Sequence, residues 1–303
     1  KICKEVMLTS SKAYSKWYED TSMASQPDTN KDLTSMSMAS VVVGKGSHWA
    51  RTTALALELG LPLATWVSER ALYLEVFRDE IRLQGRIPGE SSKNVRPVRS
   101  DLGTLYTARS QINRRCVPLY RAVLGRKKAG GRLVWDVTGG TGQDAWLLAA
   151  LGCCLVVVER EPVVFALLRD GVARAGVEEQ SIARRIRLIY GQAEEVLSVN
   201  TKQPSMTASG GLLPSPHVVY MDPFFSSQRK QKGASRRTMQ VLRHVAREQS
   251  PDQDLESLDL ALQVARERVV VKRPRISEPL CAKKGRLTHS IQGRGCRFDV
   301  YQR

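Results

Sequence analysis

The stretch Val134–Glu161, "VWDVTGGTGQDAWLLAALGCCLVVVERE", decides the fold. An apolar run from Leu133 to Val137 carries Asp136, the glycines Gly139, Gly140 and Gly142 make a turn, and Ala145 to Leu151 has helical spacing. A second run, Cys153 to Val158, is rich in β-branched residues and ends at Glu159. Strand, glycine turn, helix and strand form one right-handed βαβ unit, so a ligand is expected across the carboxyl ends of the strands.

At 303 residues the chain can bury a full α/β core and still carry a smaller second domain. Its 47 Lys and Arg against 30 Asp and Glu leave a formal charge of +17, which suits a polyanionic partner such as RNA; a merely soluble basic surface and anionic lipid are the weaker readings. No run reaches the roughly 18 consecutive apolar residues of a membrane helix, so an integral membrane protein is not expected. Cys3, Cys116, Cys153, Cys154, Cys281 and Cys296 form no C-x-x-C pair and read as reduced thiols. His48, His217, His244 and His289 lack metal spacing and read as packing or surface residues, so no metal is expected.

Three regions follow from composition: a polar extension over 1–40, a small α/β domain with its linker over 41–100, and a larger domain over 101–303. The second region offers a short strand, a glycine turn, a helix from about Ser47 and an element after Pro62. Its Gly44-Lys45-Gly46-Ser47 lacks phosphate-loop spacing and reads better as a turn with an N-cap. The segment Arg82 to Asp101 is basic and proline-interrupted, as in a loop. Leu105 to Leu124 has helical spacing with Arg109, Arg114, Arg115 and Arg121; a phosphate-contacting face and a solvated face are equal readings. Residues 198–216 read as a loop insertion before a strand from His217 to Met221. Val269 to Val271 and Arg297 to Tyr301 supply further strands.

The chemistry lies at the strand ends. Glu159 stands roughly twenty residues beyond Asp136, the distance at which an acid grips ribose hydroxyls in nucleotide-binding α/β units. The turn lacks G-x-G-x-x-G, and Asp136 would repel a pyrophosphate. A cationic, phosphate-free cofactor such as S-adenosylmethionine fits better. In "HVVYMDPFFSSQRKQKGASRR" a strand ends in Asp222-Pro223-Phe224-Phe225, which resembles the (D/N)-P-P-(F/Y) signature of methyltransferases acting on exocyclic base nitrogens. The Asp222 carboxylate and Pro223 carbonyl can accept hydrogen bonds from an amino group while an aromatic face stacks on the base. An Asp-Pro turn with buried phenylalanines is the bland alternative. Arg229, Lys230, Lys232, Arg236 and Arg237 follow directly, and Lys272 and Arg273 (with Arg275) form a second basic strip; both are read as gripping RNA phosphates, with solvated loops as the alternative.

"WDVTGGTGQDAWLLAALGC", "VVVERE" with "PVVFALLRDGVARA", "VVYMDPFF", "RVVVKRP" and "GRGCRFDVY" together make the chain resemble the RsmJ-type bacterial small-subunit ribosomal RNA guanine-N2 methyltransferases. The resemblance covers most of Arg132 to Tyr301. It implies a Rossmann-like class I S-adenosylmethionine-dependent methyltransferase fold behind a small α/β N-terminal domain. It also implies cofactor contacts at Asp136, Gly140, Gly142, Gln143, Asp144, Glu159, Arg160, Gln192, Ala193 and Asp222. Gln143 stands where the family has Arg, "YGQAEE" replaces a serine pair, and Ser226 replaces a proline after the motif aromatic.

The leading expectation is thus methylation of a guanine N2 in small-subunit ribosomal RNA, with Asp222, Pro223, Phe224 and Phe225 positioning the base. The alternative is an assembly factor of the small ribosomal subunit that keeps the fold and the RNA surface with weak or no activity, working beside other assembly factors. A nicotinamide oxidoreductase fits neither the glycine spacing nor the DPFF motif. The extension and the insertion suggest a mitochondrial location, with the cytoplasm as the alternative.

Overall fold

The computed structural model describes residues 40–42, 48–64, 72–87, 96–103, 117–202, 213–223, 234–246 and 250–302. Residues 1–39 of the polar extension, the Gly44–Ser47 turn, the first part of the expected basic helix (105–116) and residues 203–212 of the insertion lie outside them.

The smaller of two sheets has the order β2 (Leu63–Ala64), β1 (Ser40–Val42), β3 (Leu72–Val76), β4 (Ile81–Gly85). β1 runs parallel to β2 and β3, and β3 antiparallel to β4. Helix α1 (Trp49–Leu59) lies between β1 and β2 in sequence. His48 caps it by accepting the Arg51 amide at 3.3 Å, and Gly60 ends it at φ 62°.

The larger sheet has seven strands, in the order β10 (Arg286–Gln292), β11 (Cys296–Gln302), β9 (Arg268–Pro274), β8 (Val218–Met221), β5 (Leu133–Asp136), β6 (Cys154–Glu159), β7 (Ile186–Tyr190). The run from β9 to β7 is parallel; β11 is antiparallel to β9, and β10 to β11. β5, β6 and β8 are buried at every position, as expected of parallel strands covered on both faces. The β-branched content that marks these strands in the sequence is therefore a record of double-sided burial.

Helices α2 (Pro118–Leu124), α3 (Gln143–Ala150), α4 (Pro162–Glu178) and α5 (Gln180–Ala183) precede α6 (Ala193–Lys202), α7 (Ala234–Val245) and α8 (Pro251–Val264). Side chains alternate across the sheet to serve two cores. Val134 and Val157 pack with Leu148 and Leu167 of α3 and α4, whereas Leu133, Trp135 and Val156 pack with Leu197 of α6 and Leu258 of α8. The first core continues into Leu55 of α1, Leu74 of β3 and Leu83 of β4, so the smaller sheet shares it. Each such fully buried Leu or Val contributes about 1.5–3 kcal/mol relative to exposure.

Polar contacts fix the same junction. Arg51 donates to the carbonyls of Phe77 and Arg78 at 2.8 and 2.9 Å and pairs with Asp170 of α4 at 2.8 Å. The Asp170 side chain is 1% exposed and also accepts from Arg174 Nε at 2.8 Å, so its buried charge is paired on both oxygens. Arg174 in turn donates to the Ser100 carbonyl at 2.6 Å, and Ser100 Oγ donates to the Thr141 carbonyl at 2.8 Å. The linker is thereby strapped to the glycine turn.

Several element boundaries differ from expectation. Arg82 to Gly85 are strand, not loop, because Leu74 and Leu83 alternate into the core; Val98 then bridges Leu83. The helix expected over 105–124 does not run unbroken, since Val117 is extended and Pro118 opens α2. α6 continues through Lys202, taking the first residues of the expected insertion loop. The reading of every cysteine as a reduced thiol is corrected at Cys154, which is disulfide-bonded, whereas Cys153, Cys281 and Cys296 are free. Sequence spacing carries no information about cysteines that meet through the fold.

The close approach of the linker to α4 generates a stability prediction. A Cβ at Gly171 would lie 2.9 Å from the Ser100 carbonyl oxygen, whereas one at Gly130 would meet nothing. Gly171→Ala should cost about 1–3 kcal/mol in denaturant unfolding, the range for overpacking a fitted interior. Gly130→Ala should stay within about 0.5 kcal/mol. Equal stabilities would remove the linker contact as a constraint.

Candidate functional site

Along the larger sheet the chain order reverses between β5 and β8, and this is where open α/β sheets bind ligands. Asp136 ends β5 and is registered against Tyr220 of β8, so Asp136 and Asp222 emerge side by side. Thr138 joins them. Its amide donates to Asp136 Oδ1 at 3.1 Å, and its Oγ1 accepts the Asp222 amide at 2.6 Å.

The glycine turn is shaped by its surroundings. Gly142 has φ 82°, and a Cβ there would sit 2.5 Å from Leu168 Cδ1, so both backbone and packing require glycine. Gly140 donates its amide to Glu159 Oε2 at 2.7 Å, and the Glu161 amide serves Glu159 Oε1 at 2.8 Å. With a carboxylate already on the turn's amide and Asp136 beneath it, the turn is a poor seat for a phosphate. The Gly191 amide donates to the Glu159 carbonyl at 3.1 Å, which brings Gln192 (exposed) and Ala193 (buried), at the start of α6, beside the same strand end.

A second polar chain crosses the site. Tyr220 Oη donates to Asp144 Oδ2 at 2.7 Å, and Lys272 Nζ bridges Asp144 Oδ2 at 2.8 Å and Asp222 Oδ2 at 2.7 Å. Lys272 is thus not part of an outward basic strip, as the sequence suggested: strand alternation on β9 turns it toward Asp144 and Asp222. Arg273, its neighbour, faces the other side of the sheet and donates to the Glu278 carbonyl at 2.7 Å. Arg160 lies 3.4 Å from the Glu161 carboxylate, and Gln143 is exposed at the start of α3. Pro223 is buried next to Asp222. Phe224, Phe225, Arg229, Lys230 and Lys232 lie outside the described residues, and only the backbone of Arg236 and Arg237 is described, at the start of α7.

Sequence reasoning missed Thr138 and Tyr220 and misassigned Lys272. The available signal was positional: a hydroxyl two residues after Asp136, a tyrosine two residues before Asp222, and a lysine at the end of a buried β-branched run.

Burial dominates the electrostatics. Asp136 is 2% exposed, and burial pushes its carboxyl up to about 8, opposed by the Thr138 amide and reinforced by Asp144 and Asp222. Burial likewise raises Glu159 to about 7 against the amides that it accepts. At Lys272 burial acts to lower the ammonium pKa, but Asp222 and Asp144 outweigh it and hold the proton tightly. Burial and Asp144 raise Asp222 against the pull of Lys272. Several acids and one lysine leave the centre short of positive charge, a setting that favours a cationic ligand.

Among the described residues no group of His, Cys, Asp and Glu could hold a metal ion, and no helix is long and apolar enough to cross a membrane.

The model of the family described as putative SAM-dependent methyltransferase matches residues 63–303. Ribosomal RNA small subunit methyltransferase J of Thioalkalivibrio sulfidiphilus is 37% identical over 257 residues, covering 83% of this chain and 92% of that protein. The protein of the same name from Coxiella burnetii is 34% identical over 253 residues, covering 82% and 90%. A SAM-dependent methyltransferase of known structure from Neisseria gonorrhoeae aligns with TM-score 0.60 and 26% identity, covering 87% of this chain and 96% of its own. The fold is the Rossmann-like class I fold that the motifs implied. A sulfonium cofactor also gives the site's pH dependence a sign. Asp136 and Glu159, with carboxyls near 8 and 7, are protonated below those values, so affinity for S-adenosylmethionine should rise between pH 6 and 9. Titration calorimetry across that range checks this, and a flat profile would remove these carboxyls from the binding event. Sequence, fold and acidic site agree: the chain belongs to the SAM-dependent methyltransferase family of ribosomal RNA small subunit methyltransferase J.

Proposed function

We propose that this methyltransferase transfers a methyl group to the N2 of a guanine in small-subunit ribosomal RNA, and that Asp222 is the group that receives the base amine. The observation that carries the reading is the three-way fixation of Asp222: its amide on Thr138 Oγ1, its Oδ2 on Lys272, and its position at the reversal point of the sheet. The substrate reading is supported by the relatives, which are ribosomal RNA small subunit methyltransferases, and the guanine N2 by the resemblance of Asp222-Pro223-Phe224-Phe225 to base-amine methyltransferases.

S-adenosylmethionine, when bound, supplies an electrophilic methyl group. The acids fit it: Glu159 suits ribose hydroxyls, Asp136 and Asp144 suit its cationic amino acid end, and Gly140, Gly142, Gln143, Arg160, Gln192 and Ala193 line the neighbouring strand ends. Asp222 Oδ2 is held by Lys272, which leaves Oδ1 to accept a hydrogen bond from the amine and orient its nitrogen. The Pro223 carbonyl would take the second amine hydrogen, and Phe224 or Phe225 would stack on the base. As the nitrogen gains the methyl group it loses a proton, and Asp222 or water accepts it. Orientation contributes most, because the amine needs little basic assistance.

The relatives from Thioalkalivibrio sulfidiphilus and Coxiella burnetii are bacterial proteins, so they lend no support to a mitochondrial location.

Methyl transfer from labelled cofactor to small-subunit RNA tests the reading. Asp222→Ala should lose about 10²-fold or more in kcat, the scale of lost positioning or proton acceptance, while RNA binding holds. No label in the wild type, with tight RNA binding, would favour a structural assembly role instead. Lys272→Met gives a separate outcome. Without the lysine's pull, the Asp222 carboxyl rises further, so the acid limb of the kcat profile should move to higher pH, and Lys272→Arg should restore part of the shift. An unmoved limb would exclude Lys272 from controlling Asp222.

A further inference from the structure

Relocating Lys272 and Arg273 leaves open which described surface meets the RNA. β10 is the outer strand of the large sheet; six of its seven residues are exposed, and Ile291 is its one half-buried position, packed against the first core. Such a strand gains little from burial. Its segment, 275–295, carries Arg275, Lys283, Lys284, Arg286 and Arg294 against a single acid, Glu278. These five cations are exposed, and none has a carboxylate partner among the described residues. Elsewhere Arg51, Arg99, Arg132, Arg169, Arg174 and Arg297 are tied to acids. The register shift between Leu287 and His289, together with charge, would protect an edge from pairing with another chain. Protection alone, however, is served by charge of either sign, whereas this edge is cationic almost throughout.

Position adds direction. Arg275 follows Pro274, which is registered against Cys296, and Arg294 sits in the turn just before Cys296. β11 pairs Phe298 with Lys272 and Cys296 with Pro274, so this end of the strip lies at the strand end that carries Lys272, which bridges Asp144 and Asp222. Arg286, registered against Gln302, marks the far end, with Lys283 and Lys284 just before it. Seven residues of strand span about 20 Å. At the far end Asp259 accepts the amides of Lys283 and Lys284, and both of these lysines are exposed.

We propose that β10 and its flanking turns form a track for the phosphate backbone of the ribosomal RNA, leading from the sheet edge to the site at Asp222. This rests on small-subunit RNA being the substrate but not on which atom is methylated. Arg and Lys outside ion pairs bind phosphates without sequence preference, so the track fixes register while base selection belongs to the DPFF region.

The test is RNA binding by the full chain to a small-subunit ribosomal RNA transcript across a salt series. The substitutions Lys283→Gln, Lys284→Gln, Arg286→Gln and Arg294→Gln combined should lower the slope of log K against log salt by about 3, from roughly 0.7–0.9 per phosphate contact. KM for RNA should rise, and affinity for S-adenosylmethionine, measured in parallel, should match the wild type and report an intact fold. Arg78→Gln with Arg184→Gln, two exposed arginines away from this edge, should leave the slope unchanged. An unchanged slope in the quadruple variant would overturn the track, as would an equal change per residue in the control pair. Binding is read without catalysis, so failure of the guanine N2 assignment would leave this result standing.

Discussion

Carboxylates gathered in a poorly solvated place repel one another, and the centre of this protein depends on how that repulsion is contained. Asp136, Asp144 and Asp222 meet where the order of strands reverses, and Lys272 is the cation that touches two of them. Removing such charges from water is costly unless each finds a hydrogen bond or a counter-charge. The Thr138 amide, the Tyr220 hydroxyl and Lys272 supply part of that, and protonation near neutrality supplies more at Asp136. What remains is a site whose electrostatic balance is completed by a cation. A sulfonium cofactor fits that balance, and a dinucleotide phosphate would oppose it.

The same centre relies on contacts made far from it. Gly142 takes φ 82° because it has no side chain, Leu168 leaves no space for one, and Leu102 packs over the turn from a linker whose Ser100 bonds to Thr141. Ser100 is anchored through Arg174 to Asp170, and Asp170 to Arg51 of α1. The small sheet therefore does more than precede the large one. It fixes the strap that presses on the glycine turn, so a disturbance in its packing would be felt at the cofactor site.

The parts of the fold legible in the sequence are those where burial is complete. β5, β6 and β8 are apolar on both faces, and their strand ends announce themselves by glycine, acid or Asp-Pro. β10 was invisible for the opposite reason: "RLTHSIQ" buries almost nothing, so it has neither an apolar run nor alternation, and only pairing with β11 defines it. α6 was cut short because its last residues look like a polar loop although the backbone continues the helix. Asp136, Glu159 and Asp222 could be singled out from the sequence because each is an acid at the end of an apolar run, and the structure puts all three at strand ends of the large sheet. Lys272 was misread because "KRP" after a strand resembles a basic patch; on which side of the sheet a residue falls depends on register, and composition does not carry it.

A chain with a formal charge of +17 that concentrates acids at its centre must keep its cations outside, and the two distributions serve one reaction. A polyanion approaching the acidic centre alone would be repelled. Screening limits how far that repulsion reaches, to about 8–10 Å at physiological salt, so exposed cations outside the centre can hold the backbone while a base enters it. Lys272 marks the boundary between the two regions. Its neighbour Arg273 turns away to the opposite face, and Arg275 is the first exposed cation beyond it. Within four residues of one strand end, the same residue types change from completing the reaction centre to meeting solvent, and strand alternation is what separates the roles.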